Sequence, residues 1–161
     1  MIIWTSVQII IGLHEQNARL RKQAQLEFSI PVETENMMKS LDKETFLDLV
    51  ESQYVMENVR FLQDLKTFKD YYYEKSPSWR KSKIKILYDA YIVEGAIMEI
   101  NISYACREAI KQVVFTREES TVFDEAEKQV QGMLVNGVWK DYLTLERTKD
   151  NNKKLVLVGE E

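Results

Sequence analysis

The sequence is short of the residues that build most catalytic and metal centres. Its 161 residues contain one cysteine, Cys106, and one histidine, His14. A single cysteine excludes an internal disulfide, and with one histidine it leaves no Cys/His zinc cluster. Only carboxylates remain as metal ligands. Proline (2) and glycine (5) are also scarce, too few to punctuate a β-sandwich every few residues, so long helices are the better expectation. No glycine-rich phosphate loop of the P-loop or dinucleotide type occurs, which argues against a nucleotide-binding enzyme. Positive charge is not in excess. The net charge of −4 argues against sequence-independent binding to nucleic-acid phosphate. What is present is material for a full core: hydrophobic residues make up 45% and charged residues 30%, the balance of one globular domain with a short extension. The expectation is a helical binding module in a reducing compartment, with no cofactor.

Three stretches differ in character. Residues 1–30 begin apolar, through Ile2, Ile3, Trp4, Val7 and Ile9 to Leu13, and turn basic at Arg19, Arg21 and Lys22. The apolar part is shorter than the roughly 20 residues a spanning helix needs. Its order suits either a helix covering one side of the domain or the cytoplasmic end of a membrane helix. Pro31 then breaks the chain and opens a domain that runs to Arg147. Within it, Thr34, Asp42, Ser103 and Thr121 are read as helix caps. Phe46, Leu49, Val50 and Tyr54 form one helical stripe, and Ile84, Leu87, Tyr88 and Tyr91 another. Ser76-Pro77-Ser78 and Asn136-Gly137 are breaks, and Gly95 is placed to end a helix in the left-handed region. Ala105, Ala109, Ile110 and Val113 are assigned to a further helix, and Trp139, Tyr142 and Leu143 to a short last one. Residues 148–161 form a polar, then apolar, tail. The fold expected is all-α, a bundle of about eight or nine short helices.

Few side chains offer chemistry. His14 and Cys106 are the only pair from which a thiolate and its base could be drawn, and Cys106 sits among small apolar neighbours that suit a buried structural thiol. Glu118, Glu119, Asp124, Glu125 and Glu127 lack the loop spacing of a calcium site. They suit a helix start, where acids meet the positive end of the dipole. Arg80, Lys81, Lys83 and Lys85 form a basic run that is either a solvated face or a lipid-facing patch attracting anionic head groups. A different pattern has no simple packing explanation. Glu57-Asn58 opens a helix, Asn101 occupies an extended corner, and Met133, Gly137 and Asp141 flank a helix break. Polar residues gathered at junctions suggest a recognition face made of loops.

The same residues resemble the regulators of G-protein signalling. The run Phe46-Leu47-x-x-Val50-x-x-x-Tyr54-x-x-Glu57-Asn58-Val59-x-Phe61 is similar to the first motif of that family. Leu87-Tyr88-x-x-Tyr91-Ile92, Glu99-Ile100-Asn101-Ile102 with Arg107-Glu108, and Phe123-Asp124-Glu125-Ala126-x-Lys128 follow in the family's order. The agreement extends from about Met37 to Leu143. It implies a bundle of about nine short helices over residues 31–147 that is not itself an enzyme. Such a domain grips the switch loops of a heterotrimeric G-protein α subunit in their transition-state arrangement, accelerates GTP hydrolysis and so terminates signalling. The α subunit supplies the catalytic groups. The resemblance assigns the contact to Glu57, Asn58, Asn101, Met133, Gly137 and Asp141, with Asn101 against the second switch. It also implies a cytoplasmic location at the inner face of the plasma membrane.

Two of those positions depart from the family pattern. Gly137 stands where an acid is usual, and Asp141 where an arginine supports that acid. Losing both removes a charge-assisted pair, a class of hydrogen bond worth about 1.5–3 kcal/mol. Leu62 also replaces a tryptophan, and Val55 a small polar residue. Three readings follow: an activator whose partner has changed to match, a scaffold that binds without accelerating hydrolysis, and a phospholipid-binding adaptor using Arg80 to Lys85.

Overall fold

The computed structural model of the chain describes residues 32–117 and 119–158, with side-chain surroundings up to residue 151. The chain divides into two compact units, 1–36 and 37–161. In the first, residues 32–36 are described and are helical, so Thr34 lies within a helix and does not cap one. The apolar–basic segment 1–30, with His14, lies outside the described residues.

The second unit is built from helices: α1 (Glu44–Ser52), α2 (Met56–Tyr71), α3 (Pro77–Leu87), α4 (Tyr104–Val113), α5 (Asp124–Asn136) and α6 (Val138–Val158). Among the described residues of this unit these are six α-helices, not the nine expected, and they are longer than expected. One reason lies at the C-terminus. The sequence reading ends the last helix near Arg147, yet α6 runs unbroken to Val158. No glycine or proline interrupts residues 138–158. Thr144 and Thr148 donate to the carbonyls four residues back, both at 2.9 Å, and so fit the helix interior.

Two helix starts follow their sequence signals. Ser76 accepts from the Trp79 N–H at 3.3 Å, with Pro77 at the first helical position of α3. Ser103 accepts from the Cys106 N–H at 3.3 Å and starts α4. Asp42 and Thr121 do not cap. The Asp42 carboxylate accepts from Gln63 Nε2 at 2.9 Å, which ties it to α2. The Thr121 carbonyl accepts from the Asp124 N–H, so the start of α5 is closed by backbone. The three acids of its first turn suit the helix dipole.

After Leu87 the α3 helix widens into a π turn, Tyr88–Ile92, closed by the Val93 N–H on the Tyr88 carbonyl at 3.1 Å. Of the second sequence stripe, Ile84, Leu87 and Tyr91 are buried, and half-buried Tyr88 packs edge-on to Phe115. Along α4 and its C-terminal cap the buried line is Cys106, Ile110 and Val114. Ala105 and Ala109 face solvent, one position away from the expected line.

Aromatic rings join the helices. Phe46 of α1 meets Trp139 and Tyr142 of α6 edge-on, at centroid distances of 5.9 and 5.4 Å. Phe61 of α2 meets Tyr91 at 5.4 Å and Phe123 at 6.4 Å. Such pairs contribute about 0.5–1.5 kcal/mol beyond the area they bury. They also fix the relative rotation of the helices whose ends carry the polar corners.

Candidate functional site

The turn between α1 and α2 presents the first polar corner. The N–H groups of Gln53, Tyr54 and Val55 donate back to the carbonyls of Leu49, Glu51 and Val50 at 3.1–3.3 Å. This tight closure forces Tyr54 to φ +56°, in the left-handed region, while its side chain is 89% exposed. A residue with a Cβ there carries a conformational cost of about 1–2 kcal/mol. Backbone strain of this kind clusters at active sites, ligand clamps and switch regions. Three residues on, Glu57 is half-buried and Asn58 only 1% exposed. Asn58 Nδ2 donates to Glu57 Oε1 at 2.9 Å, and Asn58 Oδ1 meets no donor. The pair therefore offers one accessible group, the Glu57 carboxylate, backed by a buried amide.

The second corner is the break between α5 and α6. The Gly137 N–H donates to the Met133 carbonyl at 3.0 Å. A Cβ on Gly137 would lie 3.2 Å from that carbonyl oxygen, so a side chain fits only if the helix end gives by a few tenths of an ångström. Met133 is half-buried and Asp141 exposed. Asp141 Oδ2 accepts from Gln53 Nε2 at 2.8 Å, which joins this corner to the α1–α2 turn. At the far ends of the same helices, Lys69 bonds Asp124 and Glu127, each at 2.6 Å. Burial works against the Lys69 charge, but the two carboxylates outweigh it and raise its pKa. Cross-links at both ends set α2 and α5 antiparallel and bring residues 53–58 and 133–141 to one end of the bundle.

Asn101 is the third element. It is exposed between buried Ile100 and Ile102. The Ile100 N–H donates to the Tyr91 carbonyl at 3.0 Å, and Tyr91 donates its own hydroxyl to Asp64 of α2 at 2.6 Å. The loop bearing Asn101 is thus anchored through Tyr91 to the helix that Glu57 opens.

The remaining charged runs are engaged within the protein to differing degrees. Arg80 is half-buried, lies 4.9 Å over the Tyr72 ring and donates to the Tyr72 carbonyl at 3.2 Å. Lys85 pairs with Asp89 one turn on. Lys81 is exposed and Lys83 half-buried. Of the acidic run, Asp124 and Glu127 hold Lys69, Glu125 accepts from Gln129 at 2.9 Å, and Glu118 lies outside the described residues. The Cys106 thiol is buried, and its pKa is raised first by burial and then by the nearby Glu125 charge, against Arg107. A thiol so placed is held in its unreactive form.

Sequence reasoning missed Gln53 and misplaced Tyr54, which it read as the end of the Phe46–Val50 helical stripe but which lies beyond α1, exposed and in the left-handed region. Gln53 matters through a contact 88 residues away, which no local pattern reveals. Tyr54 occupies a backbone region where glycine or asparagine is the usual signal.

A model of the regulator of G protein signaling domain matches residues 33–146. That is well over half of the chain, and the chain belongs to this family. Domains of this family bind G-protein α subunits and regulate their signalling as GTPase activators. Among the described residues no helix is long and apolar enough to cross a membrane.

Proposed function

We propose that this chain is a GTPase-activating domain for a heterotrimeric G-protein α subunit. The observation that carries this reading is the Gln53–Asp141 hydrogen bond. It gathers the α1–α2 turn and the α5–α6 break at one end of the bundle, as a loop-built grip on a partner's loops requires. Glu57 supplies an accessible carboxylate and Asn101 an exposed amide on an anchored loop. Asn58 acts through Glu57. Met133 adds apolar contact, and Gly137 leaves the partner's backbone free to approach.

The chemistry asked of such a face is modest. It binds the switch loops more tightly when they hold the transition-state arrangement than when they do not. A hundredfold preference lowers the barrier by about 2.7 kcal/mol. A scaffold that binds an α subunit without accelerating hydrolysis is the second reading. It is favoured by Gly137 and Asp141, which place an acid where the family's arginine stands and no side chain where its acid stands.

The test is single-turnover GTP hydrolysis by an α subunit from the same source, with and without this chain. Acceleration that Asn101→Ala reduces many-fold, with circular dichroism unchanged, supports the activator. Binding without acceleration leaves the scaffold. Undiminished acceleration by Asn101→Ala removes Asn101 from the contact.

A further inference from the structure

Residues 93–103 carry almost no regular structure, yet their backbone is bonded from several sides by two charged side chains. Arg107, on the first turn of α4, reaches back with Nη1 to the Ile92 carbonyl and with Nη2 to the Ile100 carbonyl, the latter at 3.3 Å. Its Nη2 also meets Glu99 Oε1 at 2.8 Å. The second oxygen of Glu99 accepts from the Gly95 N–H at 2.7 Å. Gly95 lies at φ +79°, the turn that reverses the chain. One guanidinium therefore holds the loop at its entry, at Ile92, and again immediately before Asn101. Through Glu99 it also closes the turn between. The Arg107 side chain is 16% exposed and that of Glu99 31%, so neither is an ordinary surface pair. On the other side of Asn101, the Ser103 N–H donates to Gln129 Oε1 of α5 at 2.8 Å.

We propose that Arg107 and Glu99 form a clamp that fixes Asn101 in position for its partner, an inference that rests on the activator reading for its effect on hydrolysis. Both are positioning residues and touch nothing of the partner. The requirement is geometric. A guanidinium is a rigid fork that serves two carbonyls and a carboxylate at once. Lysine keeps the charge opposite Glu99 but cannot hold Ile92 and Ile100 together.

The experiment compares Arg107→Lys with wild type in two readouts. The first is single-turnover acceleration, read alone and in combination with Asn101→Ala. The expected result is at least a tenfold loss for Arg107→Lys and no further loss when it is added to Asn101→Ala. The second readout is amide hydrogen exchange, expected to quicken at Gly95 and Ile100 while α2 and α5 stay protected. This arm does not depend on any α subunit, so it separates the clamp from the activator reading. Quicker exchange confined to the loop upholds the clamp even if the wild-type chain accelerates nothing. Full acceleration by Arg107→Lys, losses that multiply in the double variant, or unchanged loop exchange each overturn it. Should Arg107→Lys not fold, Glu99→Gln takes its place, with the same loop-confined exchange expected.

Discussion

Asp141 and Gly137 show how single side chains tune a shared face. Asp141 is held by Gln53, so its carboxylate faces the α1–α2 turn as an organised group. Gly137→Asp together with Asp141→Arg rebuilds the family's usual pair, and the link to the α1–α2 turn is kept with its direction reversed, the arginine donating to the Gln53 amide oxygen. The expected outcome is about a tenfold gain in acceleration of α subunits served by ordinary family members, the equivalent of ~1.4 kcal/mol, read in single-turnover assays. Gly137→Asp alone is expected to give less, because the new carboxylate then stands four residues from that of Asp141 and has no arginine to support it. Tyr91 gives a prediction in pH. Burial first, and then its hydrogen bond to Asp64, push its hydroxyl pKa well above the ordinary tyrosine value. The folded state therefore keeps this proton longer than the unfolded chain does. Its contribution is whole below about pH 10, the unfolded value, and falls as pH rises toward the folded one. Tyr91→Phe is expected to flatten the fall in urea midpoint above that pH.

At the scale of the element, the helix ends divide into those set by a side chain and those set by the tertiary fold. Ser103 caps α4 directly. Ser103→Ala is expected to lower stability by about 1 kcal/mol, and it also removes an acceptor for Gln129 Nε2 at 3.2 Å. Thr121→Ala leaves the backbone closure of α5 intact and is expected to cost less than half as much. Urea unfolding of the two variants side by side checks both. The contrast explains why four sequence caps were expected and only one of the four acts. An Asp or Thr near a helix start has other partners in three dimensions, as Asp42 has in Gln63.

For the whole molecule, the aromatic contacts that unite α1 with α6 also set the register of the recognition corners. Phe46 is fully buried against Trp139 and Tyr142. Phe46→Ala is expected to cost about 3–5 kcal/mol, seen in the thermal midpoint. It is also expected to weaken α-subunit binding, since the Gln53–Asp141 link depends on the same packing. An equal loss of stability from a variant at the opposite end, Phe68→Ala, is expected to spare binding more.

Much of this was legible in the residues themselves. Scarce glycine and proline dictated helices, the 3.6-residue spacing of Ile84, Leu87 and Tyr91 marked a buried face, and four ordered motifs pointed to the family. Periodicity and composition are local, so one chain suffices to read them. Folding decided what depends on distant partners. It bonded Gln53 to Asp141, buried Asn58 behind Glu57, and stretched Arg107 across the loop that carries Asn101. It also carried α6 beyond Arg147. A hydrogen bond between residues far apart in the chain exists only once packing has brought them together, and there the sequence alone is silent.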